Sequence, residues 1–246
     1  GLSRNDVKWV GLRKKHLEQD LEKESYAKVL ELQAKVSALK VNAKGITITA
    51  NAGHNKVFGT VDPSLTYSIT NGSLVGNDVL NGKLEREPGE VVGFYGITKG
   101  SLSDSNYQIT FIPNDFEITK ANQTITFNAL SDVIYGDTAF NLTATSSSGL
   151  DVSYSSSDTS VATISGNTVT IVGVGSTIIT ASQIGNGNHQ PAMDISQVLK
   201  VNAKGITITA NAGHTKVFGT VDPSLTYSIT SGSILGSDVL TGNLER

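Results

Sequence analysis

The chain has 246 residues, 19 Lys and Arg against 22 Asp and Glu for a net charge of −3, 25 glycines and no cysteine. The lack of cysteine excludes disulfides, thiolate metal sites and cysteine nucleophiles, and the slightly acidic balance does not suit a nucleic-acid partner. Only 17% of residues are charged, and Thr and Ser recur beside Val and Ile between Gly turns. That composition predicts more than one all-β unit, each able to bury its own core.

Residues 1–40 differ from the rest. They hold nine Lys or Arg and six Asp or Glu, leaving ten against sixteen in the remainder, with no glycine between Gly11 and Gly45. At 100° per residue, Val10, Leu17, Leu21, Val29, Leu32, Val36 and Leu39 fall within about 120° of arc, which predicts one amphipathic α-helix. Ser25 sits in the stripe and Lys14 and Glu18 encroach on it, so it is not a clean coiled-coil seam. The helix is expected to pack on the first β unit or a neighbour, or to self-associate; a membrane-surface role suits it less, because acidic residues dilute its basic face. No run of about 18 apolar residues is present to span a bilayer, and GLSRNDVKWV lacks the apolar core of a signal peptide, so any export signal is expected outside this chain.

From residue 41 the pattern changes to period 2. ITITA (46–50), LTYSIT (65–70), YQITFI (107–112) and FEIT (116–119) alternate apolar and polar residues, broken by turns at Asp62-Pro63, Asn71-Gly72 and Asn81-Gly82. Beyond a seam near Lys120 come QTITF (123–127), FNLTAT (140–145), VSYS (152–155), VATIS (161–165), TVTIV (168–172) and TIITAS (177–182), at the spacing of a β-sandwich. Residues 39–86 then return at 199–246, a shift of 160 with seven substitutions: Asn55 becomes Thr215, Asn71 Ser231, Leu74 Ile234, Val75 Leu235, Asn77 Ser237, Asn81 Thr241 and Lys83 Asn243. Apolar sites stay apolar and polar sites polar, so both copies are expected to adopt one fold. A period of 160 fits two different modules per repeat.

Residues 46–120, with VFGTVDPSLTYSIT, GKLER, GFYGITKGSL and NYQITF closing on FEITKA, resemble the MBG module, a "mostly beta, glycine rich" repeat of bacterial surface proteins. Residues 121–200, with VSYSSSDTSVATISGNTVTIVGVGSTIITAS, are similar to the bacterial Ig-like group 2 domain. The resemblance implies large surface adhesins and stalks, extracellular on the bacterial cell, and brings no catalytic residue with it. The expected organisation is therefore a helix of unrelated origin at 1–40, an MBG-type module at 41–120, an Ig-like sandwich at 121–200 and the first half of a second MBG-type module at 201–246, together forming a rod. Because 246 matches no module boundary, a longer parent chain is expected. The final 46 residues lack what 87–120 supply to the first copy, so they are expected not to be self-sufficient.

Candidate sites are few. His54 and His214 are one position in two copies, and His16 and His189 have no second histidine at metal-ligand spacing. No G-x-S-x-G elbow occurs, so no catalytic residue is assigned. Gly173-Val174-Gly175 precedes a strand and lacks the helix N-terminus that holds phosphate. Asp132, Asp137, Asp151 and Asp158 lack the spacing of a calcium loop, so neither metal nor cofactor is expected. Asp137-Thr138-Ala139 resembles a short bacterial O-glycosylation motif, which makes Thr138 the one candidate modification site and a simple turn the competing explanation. Gly59, Gly93, Gly96 and Gly136 flank aromatics and are expected to serve the backbone. The expected function is a non-catalytic stalk or spacer of a surface adhesin, with partners among neighbouring modules and an unidentified glycan or protein target. The alternative is a carbohydrate- or protein-binding module whose β faces touch the ligand, although Tyr67, Phe94, Tyr107 and Phe127 all sit in strand patterns where core packing explains them.

Overall fold

The computed structural model describes residues 4–37 and 40–246. Helix α1 (Arg4–Ser37) is supported by i,i+4 pairs, with Lys35 Nζ 2.7 Å from Glu31 Oε1 and Lys14 Nζ 4.0 Å from Glu18 Oε1. Leu39 and the side chains of Val10 and Val36 lie outside the described residues. Leu17, Leu21, Val29 and Leu32 of the stripe face solvent, and so do Leu12, Tyr26 and Leu30. Leu12 and Leu30 project opposite the stripe, so the apolar residues are only weakly gathered on one face.

The strands that follow are β1 (Lys44–Ala50), β2 (His54–Val57), β3 (Tyr67–Asn71), β4 (Glu85–Arg86), β5 (Gly93–Thr98), β6 (Tyr107–Ile112) and β7 (Asp115–Thr119). Tertiary contacts group the chain into two units, one of residues 1–51, 65–85 and 97–114 and the other of 52–64, 86–96 and 115–246. In the first unit β1 is central to a three-stranded sheet, antiparallel to β3 and parallel to β6, with Ile48 opposite both Ile69 and Phe111. Period-2 alternation places Ile46, Ile48 and Ala50 on the buried face, where Leu84, Ile97, Leu102 and Tyr107 are buried too; Ile69 and Ile109 are half-buried. A register shift between Thr47 and Ile48 marks a bulge.

In the second unit the sheet order is β2-β7-β5-β4, β2 parallel to β7 and β5 antiparallel to it. Its inner face carries Phe116 and Ile118, both fully buried, with Lys56 opposite Ile118. Phe94, opposite Glu117, points the other way and is 71% exposed, which corrects the expectation that it packs in a core: the alternation of β5 gives the inward place to Tyr95.

The same unit continues with β8 (Ile125–Thr126), β9 (Val133–Ile134), β10 (Phe140–Asn141), β11 (Thr145–Ser146), β12 (Ser153–Ser156), β13 (Ala162–Ser165), β14 (Thr168–Ile171), β15 (Gly175–Ser182) and β16 (Ile195–Asn202). The sheets β12-β15-β16-β9 and β10-β14-β13 contribute to one apolar core, with Ile179, Ala181, Leu199 and Val201 from the first and Ala162 and Val169 from the second. Two layers around one core is a β-sandwich. At its end the buried amide of Gln123 donates to Gln183 Oε1 at 2.8 Å and to the Gln190 carbonyl at 2.7 Å. Buried Thr177 Oγ1 accepts from the Asp158 N–H at 2.9 Å, so these interior polar groups are satisfied.

Finally β17 (Thr207–Ala210) and β18 (Tyr227–Ser231) form a two-stranded sheet. Their register, Ile208 opposite Ile229 and Ala210 opposite Tyr227, reproduces that of β1 and β3 residue for residue, bulge included. Burial is not reproduced: Ile48 is 0% exposed and Ile208 is 44% exposed. His214 to Val217, the counterparts of β2, form no strand.

Candidate functional site

The densest polar constellation in the described residues is a four-membered charge cluster built on the β2 sheet. Lys56 lies on the inner face of β2, its side chain 3% exposed, and its Nζ bonds Asp62 Oδ1 at 2.7 Å and Glu90 Oε2 at 2.5 Å. Arg86, 8% exposed at the end of β4, uses all five of its donors. Nε donates to Asp62 Oδ2 at 2.7 Å, Nη2 to Asp62 Oδ1 at 3.1 Å and Glu90 Oε1 at 2.6 Å, and Nη1 to the carbonyls of Gly89 at 2.6 Å and Glu87 at 3.0 Å. The guanidinium lies 5.2 Å from the ring centroids of both Tyr95 and Phe116, and Tyr95 is held by its hydroxyl donating to the Val91 carbonyl at 2.8 Å.

The electrostatics follow from that geometry. The hydrogen bond from Arg86, with Lys56 behind it, lowers the Asp62 carboxyl to about 2. Glu90 is lowered by Lys56 and then Arg86, while Lys56 and Arg86 are raised, each chiefly by its bond to Asp62. Two buried cations are thus neutralised by two carboxylates at the rim. The arrangement ties β2 and β4 of one sheet together through the intervening loop.

Sequence reasoning missed the cluster, because its members are up to 34 positions apart and Lys56 breaks the period-2 pattern. The available signal was the repeat: Lys56, Asp62 and Arg86 recur unchanged as Lys216, Asp222 and Arg246, while nearby Asn residues vary. In the second copy Lys216 again pairs with Asp222, and Arg246 Nε lies 2.6 Å from Asp222 Oδ2.

The residues singled out in the sequence are dispersed. His16 is exposed on α1, and His54 begins β2 half-buried. His189 stacks edge-on to Phe58 with centroids 5.3 Å apart, and His214 Nε2 lies 3.2 Å from Thr226 Oγ1. Asp132 faces Lys200 at 3.6 Å; Asp137 Oδ2 accepts from the Ile134 N–H at 2.8 Å; Asp158 accepts from the Ser160 hydroxyl at 2.6 Å and its N–H at 2.9 Å, which lowers its pKa. Asp151 accepts from Gln183 only through its backbone carbonyl at 3.2 Å. Among the described residues no group of three or more His, Asp or Glu could hold a metal ion.

Thr138 is exposed in the turn between β9 and β10, where the Asp137 N–H donates to the Ile134 carbonyl at 2.9 Å and Gly136 takes φ +94°. Here a Cβ is doubly opposed, by the left-handed backbone and by contact with Leu235. Gly96, by contrast, has no left-handed φ, and a Cβ there would meet the Glu87 carboxyl carbon only at 3.4 Å, so the expectation of a backbone requirement fails at that position.

Tyr107 donates to Asp78 Oδ2 at 2.6 Å, which raises the phenol pKa, and accepts from the Val75 N–H at 2.7 Å. The repeat counterpart of Asp78, Asp238, stands instead against the hydroxyl of Tyr135 and raises it. Among the described residues no helix is long and apolar enough to cross a membrane.

The candidate residues are thus scattered over a helix, a strand and separate loops of a chain that is mostly β with one N-terminal helix. Residues 46–117 match the family model of the MBG domain (YGX type). No curated protein matches the chain. Among solved structures, Drosophila N-cadherin EC1-4 is similar at 10% identity and a TM-score of 0.28, over 78% of this chain and 58% of that one; so loose a likeness establishes neither a shared fold nor a shared role.

Proposed function

We propose that this chain is a non-catalytic stalk or spacer segment of a bacterial cell-surface repeat protein, in which MBG-type and Ig-like modules alternate and hold an adhesive element away from the cell. The observation that carries this reading is the use of the conserved charges of the repeat. Lys56, Asp62 and Arg86, identical in both copies, are consumed in fixing a sheet, so what repetition preserves is a fold and not a reactive group. The proposed modules are 41–120 and 121–200, with 201–246 the first half of another. The exposed leucines of α1 are the proposed route to self-association.

Exposed Phe94 is the observation that favours the second reading, a β face that touches glycan or protein directly. Glycan and surface-protein arrays probed with the whole chain separate the two. A spacer binds none above background, whereas specific binding lost in Phe94→Ala overturns the spacer reading. We further propose Thr138 as an O-glycan acceptor; intact mass of protein from its native host, compared with Thr138→Ala, reads this directly.

A further inference from the structure

The loop that joins β15 to β16 is longer than its strands require. Ala181 opposes Ile195, so about two to five residues would close the hairpin, yet residues 183–194, QIGNGNHQPAMD, stand between the strands. That segment fixes a turn of its own. Asn186 Oδ1 accepts from the N–H groups of Asn188 at 2.8 Å and His189 at 2.9 Å, and the Asn186 N–H donates to the His189 carbonyl at 3.1 Å. Gly185 takes φ +75° where a Cβ would collide with the His189 carbonyl, and its N–H donates to buried Gln183. The base of the loop is rooted in the sandwich by the Gln123–Gln183 amide pair and the bond from Gln123 to the Gln190 carbonyl. Its tip reaches beyond the sandwich. The Ala121 N–H donates to the Asn188 carbonyl at 2.9 Å and the Gln190 N–H to the Ala121 carbonyl at 2.8 Å. Lys120 Nζ donates to the Asn186 carbonyl at 2.7 Å, the Val92 N–H donates to Asn188 Oδ1 at 3.1 Å, and the His189 ring meets Phe58 edge-on. Phe58 follows β2, Val92 precedes β5 and Lys120 follows β7; because β2 and β7 are parallel and β5 is antiparallel to them, these positions form one end of one sheet.

We propose that residues 185–190 are a docking element with which the sandwich grips the end of the β2-β7-β5-β4 sheet and holds the two as one body, Asn188 and His189 being the residues that select the partner. The surface it fits is a sheet end that offers an aromatic edge after one strand, a backbone N–H ahead of another and an extended exit strand that pairs in parallel. Three observations favour this role. Only residues 120–122 separate Thr119 of β7 from buried Gln123, and both main-chain groups of Ala121 are bonded to the loop, so the connection has no slack to swing. Asn188 is engaged twice, its carbonyl by the exit strand and its side chain by the segment ahead of β5, so one residue ties separate parts of the sheet end to the sandwich. The extra length and the left-handed Gly185 serve this contact, since closing the hairpin needs neither. The contact is small and polar, so it sets an orientation between two bodies that still unfold separately. The proposal is independent of the spacer reading, because a ligand-binding module would be oriented by the same joint.

The test uses the whole chain. Because it has no cysteine, Asn55→Cys on the outward face of β2 and Thr163→Cys on β13, both exposed, place one spin label on each side of the joint. Double electron–electron resonance should return one narrow distance distribution. Asn188→Ala combined with His189→Ala should broaden it about twofold, whereas Asn188→Asp, which keeps the acceptor for Val92, should leave it narrow. Amide exchange supplies a local reading: the Val92 N–H should exchange about tenfold faster in Asn188→Ala and at the parent rate in Asn188→Asp. A broad distribution in the labelled parent, or a narrow one that survives the double substitution, would overturn the proposal. Broadening by Asn188→Asp equal to that of the double variant would also overturn it, by removing Asn188 as a selecting residue. So would loss of protection at 178–181 in the double variant, by making the loop part of the sandwich's own stability.

Discussion

Phe116→Ala is the perturbation that probes the stapled sheet most sharply. The ring is fully buried on β7, between β2 and β5, and carries the Arg86 guanidinium at 5.2 Å from its centroid. Truncating a buried Phe costs about 3–5 kcal/mol, and losing the desolvated cation–π contact adds about 1 kcal/mol. Against a margin of about 5–15 kcal/mol for a small domain, that is a large share of the stability of the proposed module 41–120. At 1.4 kcal/mol per factor of ten, a loss of 4 kcal/mol raises the population of the open form about 10³-fold. Hydrogen exchange followed by mass spectrometry on the whole chain reads this locally. Exchange at 54–57 and 115–119 should accelerate about 10³-fold, while 178–181 keep wild-type protection. Acceleration below tenfold would show that Phe116 does not hold the sheet, and equal acceleration at 178–181 would show that the proposed modules are not separate.

Other outcomes follow from single sites. Asp62 is held at about 2 by Arg86, so its stabilising contribution is complete above its ordinary value near 4 and is lost as pH falls from about 4 to about 2; because the side chain is 41% exposed, solvent screening keeps this to about 1 kcal/mol. Asp62→Asn should flatten that acid limb in urea titrations of the whole chain, and an unchanged limb would contradict the assignment. Thr177→Val leaves the Asp158 N–H without its acceptor and should cost about 1–3 kcal/mol, read as a lower urea midpoint for 121–200. Gly136→Ala forces a left-handed backbone and should cost about 1–2 kcal/mol, a fall of roughly 4–8 °C per kcal/mol in Tm.

What was legible in the sequence was what local chemistry decides. ITITA reads as a strand because Ile46, Ile48 and Ala50 share one face whatever their neighbours do, and the β1–β3 register survives in β17–β18 with most of its covering gone. β2 was not legible. Its inward residues are His54 and Lys56, which no hydrophobic pattern selects, and it is held by parallel pairing with the distant β7. Phe94 misled because GFYGIT offers two adjacent aromatics, of which alternation can bury only one. The charge cluster joins positions 56, 62, 86 and 90, a proximity that sheet order creates and sequence spacing hides. In α1 the helix itself follows from its Lys, Glu and Leu content, but the stripe counted only the residues on its own side and passed over Leu12 and Leu30.

Stretching single molecules of the chain between its ends tests the central claim most directly, since a spacer must consist of units that unfold separately. Each proposed module of about 80 residues extends to about 290 Å and starts near 40 Å, so the account predicts two force peaks each releasing about 250 Å, with residues 201–246 yielding without a peak of their own. A single release of about twice that length, or extension without any peak, would contradict it.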